Sequence, residues 1–285
     1  MQRLRLTRAV SITGRDFWGH PSKLVIEPLQ DETDWRWIWG VGGGVAITPK
    51  LFKVGGLLGR CVTLSHAGRT FHEFEHIAFL HALGLRGVRV WLEDSDWPPF
   101  MCQAELWATI KCAQQGPLKP YQPQARTFSS APGKMLRKVT YTPDHRTDLT
   151  LVARVNYGGD RVGSCTLALS GDPDKEVLAR VLSARTLGRP QLLEPIARMA
   201  SKLPVWKEQS EKILWAPWWG KPGREFYKEL AEHKVLDGAV MSFGTLPGSF
   251  LAGTVEFYCA DHGTDLQAAQ ALYQDDTVLH YRKAV

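Results

Sequence analysis

Apolar and polar residues alternate through most of the first third of the chain. RLRLTRAVSI, KLVIEPL and RCVTLS carry apolar side chains at alternate positions or in short branched runs, and each predicts a strand. The period then lengthens. FHEFEHIAFLHALGL repeats its apolar residues every three to four positions, which predicts a helix that Gly84 would end. Strand-like GVRVWLED and helix-like CQAELWATIKCAQ follow. The second half has a similar order, with strands predicted at LRKVTYT, DLTLVARVNY and VGSCTLAL. Helix DKEVLARVLSAR, a Trp-rich irregular piece, helix REFYKELAEHKVLDGAV, strand FLAGTVEFYCA and helix DLQAAQALYQ come next, with TVLHYRK as a last strand.

Between these halves, Gln114 to Lys134 is rich in Pro, Gln and Ser and lacks any period. It reads as connection. The expected organisation is a domain at 1–118, a linker at 119–133 and a second domain at 134–285. Both halves run strands, a helix bearing Glu-His, a strand and a helix, with Glu75-His76 and Glu232-His233 in comparable places. The fold class expected is α+β. It would comprise two similar domains, each a mainly antiparallel sheet on paired helices. Helical layers facing each other would bring both Glu-His helices to one cleft, a common place for a ligand.

Composition narrows the class. With 285 residues, 44% apolar and 22% charged, the chain is globular in character. No apolar run reaches the ~18 residues of a membrane-spanning helix, and the N-terminal MQRLRLTRAVSITG alternates like a strand instead of forming a signal-peptide core. Cys61, Cys102, Cys112, Cys165 and Cys259 are odd in number and never spaced CxxC, which suits reduced thiols in a cytoplasm. A net charge of +6 favours anionic small molecules or acidic surfaces, but no basic block is present, so nucleic acid is not expected. Oligomeric state leaves no signature. The chain holds eleven tryptophans, including the alternating Trp35, Trp37 and Trp39 and the cluster Trp215, Trp218 and Trp219. Core packing accounts for at least half of them, and an apolar wall beside a ligand is the sharper reading of the remainder.

Three segments could carry chemistry. HEFEH, His72 to His76, satisfies both HExxH and HxxEH, so a zinc protease using His72, Glu73 and His76 is one reading and a solvated amphipathic helix another. The metzincin continuation fails at Phe79 and Ala82. In EHKVLD, His233 and Asp237 stand four apart on a predicted helix, where they could grip one metal ion or simply pair with each other. In DHGTD, His262 falls where a strand gives way to a helix, with Asp261 and Thr264 suited to capping it.

Taken in order, FEHIAFLHALGLRGVRVWLE, SARTLG, EHKVLDGAV and DHGTDL resemble the UDP-3-O-acyl-N-acetylglucosamine deacetylase family, the zinc enzymes of lipid A biosynthesis. ITGRDFWGHPSKLVIEPL loosely resembles that family's first hairpin. The resemblance implies Zn²⁺ held by His76, His233 and Asp237. It further implies Glu75 as general base, Thr186 and Lys234 stabilising the oxyanion, and His262 as general acid, with the site between two helical layers. Three protein ligands leave a fourth position for water, as catalytic zinc requires. One geometric demand follows: adjacent helical residues point about 100° apart, so Glu75 and His76 can share a centre only near the edge of the helix's inward face.

The departures point to a changed substrate. The family has an Asp four residues after its metal-binding Asp, where it orients the catalytic His; this chain has Met241 there, so Asp261 or Asp265 would have to substitute. Cys259 replaces a family Lys, PPFMCQ replaces an Asp-Gly-Ser, and a bulky aromatic segment, Leu203 to Gly223, replaces a Gly-rich insert. The expectation is a zinc deacetylase acting on an N-acyl amino sugar, a nucleotide-sugar or a related small amide. The alternatives are the HExxH protease and a non-catalytic ligand-binding descendant of the fold.

Overall fold

The computed structural model describes residues 1–29, 35–39, 43–55, 61–100, 103–129, 136–144, 148–156, 162–169, 173–188, 213–215, 223–243, 245 and 248–273. In the first half these form β1 (Gln2–Leu6), β2 (Val10–Arg15), β3 (Pro21–Pro28), β4 (Trp35–Trp39), β5 (Gly43–Ala46), β6 (Phe52–Gly55), β7 (Cys61–His66) and β8 (Arg69–Phe71). Helix α1 (Glu75–Ala82), β9 (Val88–Glu93), α2 (Gln103–Thr109) and β10 (Cys112–Pro117) complete it. Five strands make one sheet in the order β2-β3-β9-β4-β5, antiparallel except between β4 and β9. The predicted strand RLRLTRAVSI is two strands. The Thr7 N–H turns to the Lys111 carbonyl, after which β1 pairs with β10 and β2 with β3.

The second half holds β11 (Lys119–Tyr121), β12 (Arg126–Ser129), β13 (Lys138–Thr142), β14 (Leu149–Val155), β15 (Gly163–Leu169), α3 (Lys175–Ser183), β16 (Thr186–Gly188) and β17 (Ile213–Trp215). Then come α4 (Arg224–Asp237), a 3-10 turn over Gly238–Phe243, β18 (Ser249–Leu251), β19 (Gly253–Tyr258) and α5 (His262–Tyr273). Its five-stranded sheet runs β12-β13-β19-β14-β15, again antiparallel except for one pair, β14 with β19. The molecule is thus α+β with mostly antiparallel sheets. The two five-stranded sheets share one order, the last strand of each inserted between its second and third.

Differences from the predicted elements have local causes. Helix α2 stops at Thr109, and the expected helical residues from Cys112 onward form β10, because pairing with β1 satisfies a row of backbone groups. The stretch expected as linker is not bare connection: β11 pairs with β18, and β12 with β13. FLAGTVEFYCA divides at Gly253, whose φ of +126° and whose closeness to the Thr142 carbonyl exclude a side chain. TVLHYRK, Trp218, Trp219 and most of Leu203 to Gly223 lie outside the described residues.

The helices join two apolar clusters. Helix α1 gives Ile77, Ala78 and Leu80 to the cluster under the first sheet and Phe79 and Ala82 to that under the second. Helix α5 divides likewise, Leu266 to the first and Ala268, Ala269 and Leu272 to the second. Trp35 and Trp37 are buried in the first cluster while Arg36 between them is exposed, as alternation in β4 requires. Of the clustered Trp-rich segment, only Leu214 has a described side chain, and it is buried in the second cluster. Among the described residues, no helix is long and apolar enough to cross a membrane.

Candidate metal centre

Helix α1 begins later than the HEFEH pattern predicts. Phe74 is its N-cap, anchored by its N–H to the Val62 carbonyl and by its ring among Trp35, Phe52, Phe71 and Phe243. Glu73 before it takes φ +52°, a left-handed conformation that reverses the chain into the helix. His72 therefore stands off the helix. Its ring stacks on Trp97 at 4.2 Å, and its N–H donates to the Asp96 carbonyl. His72 and His76 are not one helical turn apart, which removes the geometric basis of an HExxH site.

The late start puts Glu75 and His76 in the first turn of α1. One Glu75 carboxylate oxygen accepts the Val62 N–H at 2.8 Å, and the side chain is buried. His76, partly exposed, turns its ring to His233 on α4, the centroids 5.8 Å apart. Helix α4 lies on β14 and β15 through Tyr227, Leu230, Ala231, Val235 and Leu236, and it carries the buried His233, Lys234 and Asp237. The Nδ1 of His233 faces the Ala184 carbonyl at 3.4 Å, leaving Nε2 3.3 Å from Asp237 Oδ1.

His76, His233 and Asp237 each offer a ligand atom, and these atoms lie within 4.8 Å of one another. Such a group could hold a metal ion. Asp237 Oδ1 fits that role: it is buried, yet makes no hydrogen bond. The donor set of two imidazoles and a carboxylate matches metals that accept nitrogen and oxygen together. Burial and the neighbouring His233 lower the His76 pKa to about 4, so its ring is neutral and its lone pair available at pH 7. Burial alone would raise Asp237, but His233, His262, Lys234 and His76 together hold it at about 2, ionised.

Two further expected residues converge on this group. His262, at the first position of α5, sets its Nε2 4.0 Å from a Glu75 oxygen and 4.0 Å from Asp237 Oδ2. Burial, followed in size by the opposing pull of Asp237, leaves His262 at about 4. Burial and then the charges of Asp237 and Glu73 push Glu75 well above the usual carboxylate range. Lys234, one residue beyond His233, forms an ion pair with the buried Asp265.

The structure places Thr186 only by its backbone, opposite Ile213 in the β16–β17 pair; its side chain lies outside the described residues. The segment leading into it is fixed to α4, because Arg185 meets Glu229 through its backbone N–H and two guanidinium nitrogens. That anchor, the Ala184 carbonyl and the Val62 N–H carry no sequence signature, since two are backbone groups and the third is an ordinary ion pair.

Neither candidate carboxylate substitutes for the one displaced by Met241. Asp261 accepts from the Thr264 N–H and hydroxyl and pairs with Arg137, while Asp265 binds Lys234. The Nδ1 of His262 is buried without a hydrogen-bond partner. Met241 itself is fully buried in the second apolar cluster. No family model matches this sequence, and no curated protein matches it.

Proposed function

We propose that the chain is a zinc-dependent amide hydrolase that removes an acyl group, acetyl by preference, from an amino sugar or related small molecule. The observation that carries this reading is the convergence of Glu75 and His262 on the group formed by His76, His233 and Asp237. The resemblance of the same residues to the lipid A deacetylase family supplies the substrate class. Two domains of like design are part of the proposal, supported by the shared order of the five-stranded sheets.

Zn²⁺ held by the three ligands would polarise an amide carbonyl and acidify a water. Glu75, whose carboxyl burial keeps basic, takes the proton of the attacking water. His262 is neutral at rest, so it protonates the departing nitrogen only after receiving that proton. Lys234 and the Thr186 hydroxyl offset charge on the carbonyl oxygen in this scheme. Asp265 holds the Lys234 ammonium and thereby fixes where it can reach.

A binding-only role is the second reading, and the unsupported Nδ1 of His262 favours it. One set of measurements separates these cases. Metal content and release of acetate from N-acetylglucosamine derivatives and UDP-N-acetylglucosamine are followed in wild type, His72→Ala and Asp237→Ala. The hydrolase predicts zinc and turnover in wild type and His72→Ala, and loss of both in Asp237→Ala. Retained zinc without turnover on any amide selects the binding role, and zinc lost only in His72→Ala overturns the ligand set.

A further inference from the structure

Away from the metal centre, the first sheet opens where its one parallel pair comes apart. Strands β4 and β9 stay in register from Trp35–Val88 to Trp37–Val90; each then runs on without the other, to Trp39 and Glu93. The gap is an open cleft of about 500 Å³, lined by Trp39, Trp91, Arg69, Thr70, Arg89 and Asp96 among others. That size lies within the range of about 300–1,000 Å³ typical of small-molecule sites. It shares no residue with the metal centre.

Four of its lining side chains are held before any ligand arrives. The Trp91 indole N–H donates to Glu93 at 3.2 Å, and the Arg89 guanidinium sits 5.8 Å from the centre of the Trp91 ring. Arg89 is in turn held by Glu27 at 2.7 Å, and Glu93 by Lys23 at 2.8 Å. Trp39 lies 5.0 Å from Trp37 and 5.6 Å from His66. Little side-chain entropy is left to lose at Trp39, Arg89, Trp91 and Glu93, while Arg69 and Asp96 are exposed and would be ordered on binding.

The chemistry of the lining selects among ligands. A wholly apolar guest would strip water from guanidinium and carboxylate groups and return nothing. An anion would meet the Asp96 carboxylate, while Arg89 is already occupied by Glu27, as Glu93 is by Lys23. A quaternary cation would suit the indole faces but would meet Arg69 and Arg89. A neutral polyol satisfies every group at once. Its C–H faces lie on the indoles, and its hydroxyls donate to carboxylate and accept from guanidinium. We propose that the cleft between β4 and β9 is a binding site for a short neutral saccharide, with Trp39 and Trp91 as stacking platforms and Arg69 and Asp96 as hydroxyl partners.

The test titrates the full chain with cellobiose, maltose and N,N′-diacetylchitobiose, following tryptophan fluorescence and heat. Saturable binding of at least one sugar is expected, with Kd on the order of 1 mM or tighter. Trp91→Ala and Arg69→Gln should each weaken it about tenfold or more, the loss of roughly 1.4 kcal/mol. Asp237→Ala should bind the sugar as wild type does, because the two sites share no residue. Arg69→Gln, at an exposed position, carries the test if Trp91→Ala does not fold. Absence of binding by all three sugars would overturn the proposal. So would unchanged binding in a folded Trp91→Ala and in Arg69→Gln, loss of binding in Asp237→Ala, or tighter binding of glucose-1-phosphate than of any neutral sugar.

Discussion

Glu75 has two oxygens with two duties: one accepts the Val62 N–H, and the other lies 4.0 Å from His262. Replacing it by Gln keeps the shape and removes the base. Glu75→Gln should therefore retain metal at wild-type stoichiometry while turnover falls by about 10²–10⁴-fold, the usual worth of a positioned general base. Metal analysis beside acetate release checks both parts, and a variant that loses its metal would place Glu75 among the ligands. The shared face of His233 and Asp237 was legible, because spacing on a helix fixes which side chains share a face, whereas their link to His76 came only from the resemblance. The late start of α1 was not legible. Phe74 as N-cap and Glu73 at positive φ follow from ring packing with partners remote in sequence, and a five-residue motif holds none of that information. The fate of Asp261 and Asp265 was equally hidden, since each had several partners within reach and only the fold selects Arg137 and Lys234.

Helix α4 carries two of the candidate ligands and lies close on β15. A Cβ at Gly163 would come 1.8 Å from the Tyr227 carbonyl oxygen, so any larger residue must lift the helix or bend the strand. Gly163→Ala should cost about 1–3 kcal/mol or more in unfolding free energy and weaken metal binding together, as chemical denaturation and metal titration would show. Unchanged metal affinity in a destabilised variant would mean that the His233–Asp237 pair does not depend on that seating. Arg185 fastens the segment before Thr186 to the same helix, and its hydrogen bonds and charge hold the Glu229 carboxyl below the usual range. The sign follows from the depressed folded-state value. The contribution is present above the ordinary carboxylate pKa and lost as pH falls through the lowered one. Glu229→Gln should remove that acid-side dependence from the melting profile between about pH 5 and pH 3, and an unaltered acid limb would show the pair to be idle. Strand and helix identities were largely legible from period. Their ends at Thr7, Thr109 and Gly253 were set by pairing partners elsewhere in the chain, and period says nothing about partners.

The candidate metal ligands come from both halves of the chain, so metal and fold should be coupled in the whole molecule. His76 stands on a helix that feeds both apolar clusters, while His233 and Asp237 stand on the helix that covers the second sheet. Repetition of strands and a Glu-His helix made some relation between the halves legible, but not the insertion of each last strand between the second and third. That order requires long-range pairing, and the cleft between β4 and β9 lies at the parallel joint it creates in the first sheet. An ion bridging α1 and α4 stabilises only the state in which both helices are in place. Removing it by chelation should therefore lower the melting temperature, and Zn²⁺ returned at about 100 times its Kd should restore about 2.7 kcal/mol. Asp237→Ala should melt at one temperature with or without chelator. The substitution also removes a carboxylate that His233, His262, Lys234 and His76 hold ionised, so the metal-free variant should be less stable than the metal-free wild type. Calorimetry of the two proteins, each with and without chelator, measures all four states. A chelator-sensitive Asp237→Ala would put the stabilising ion somewhere other than between these helices.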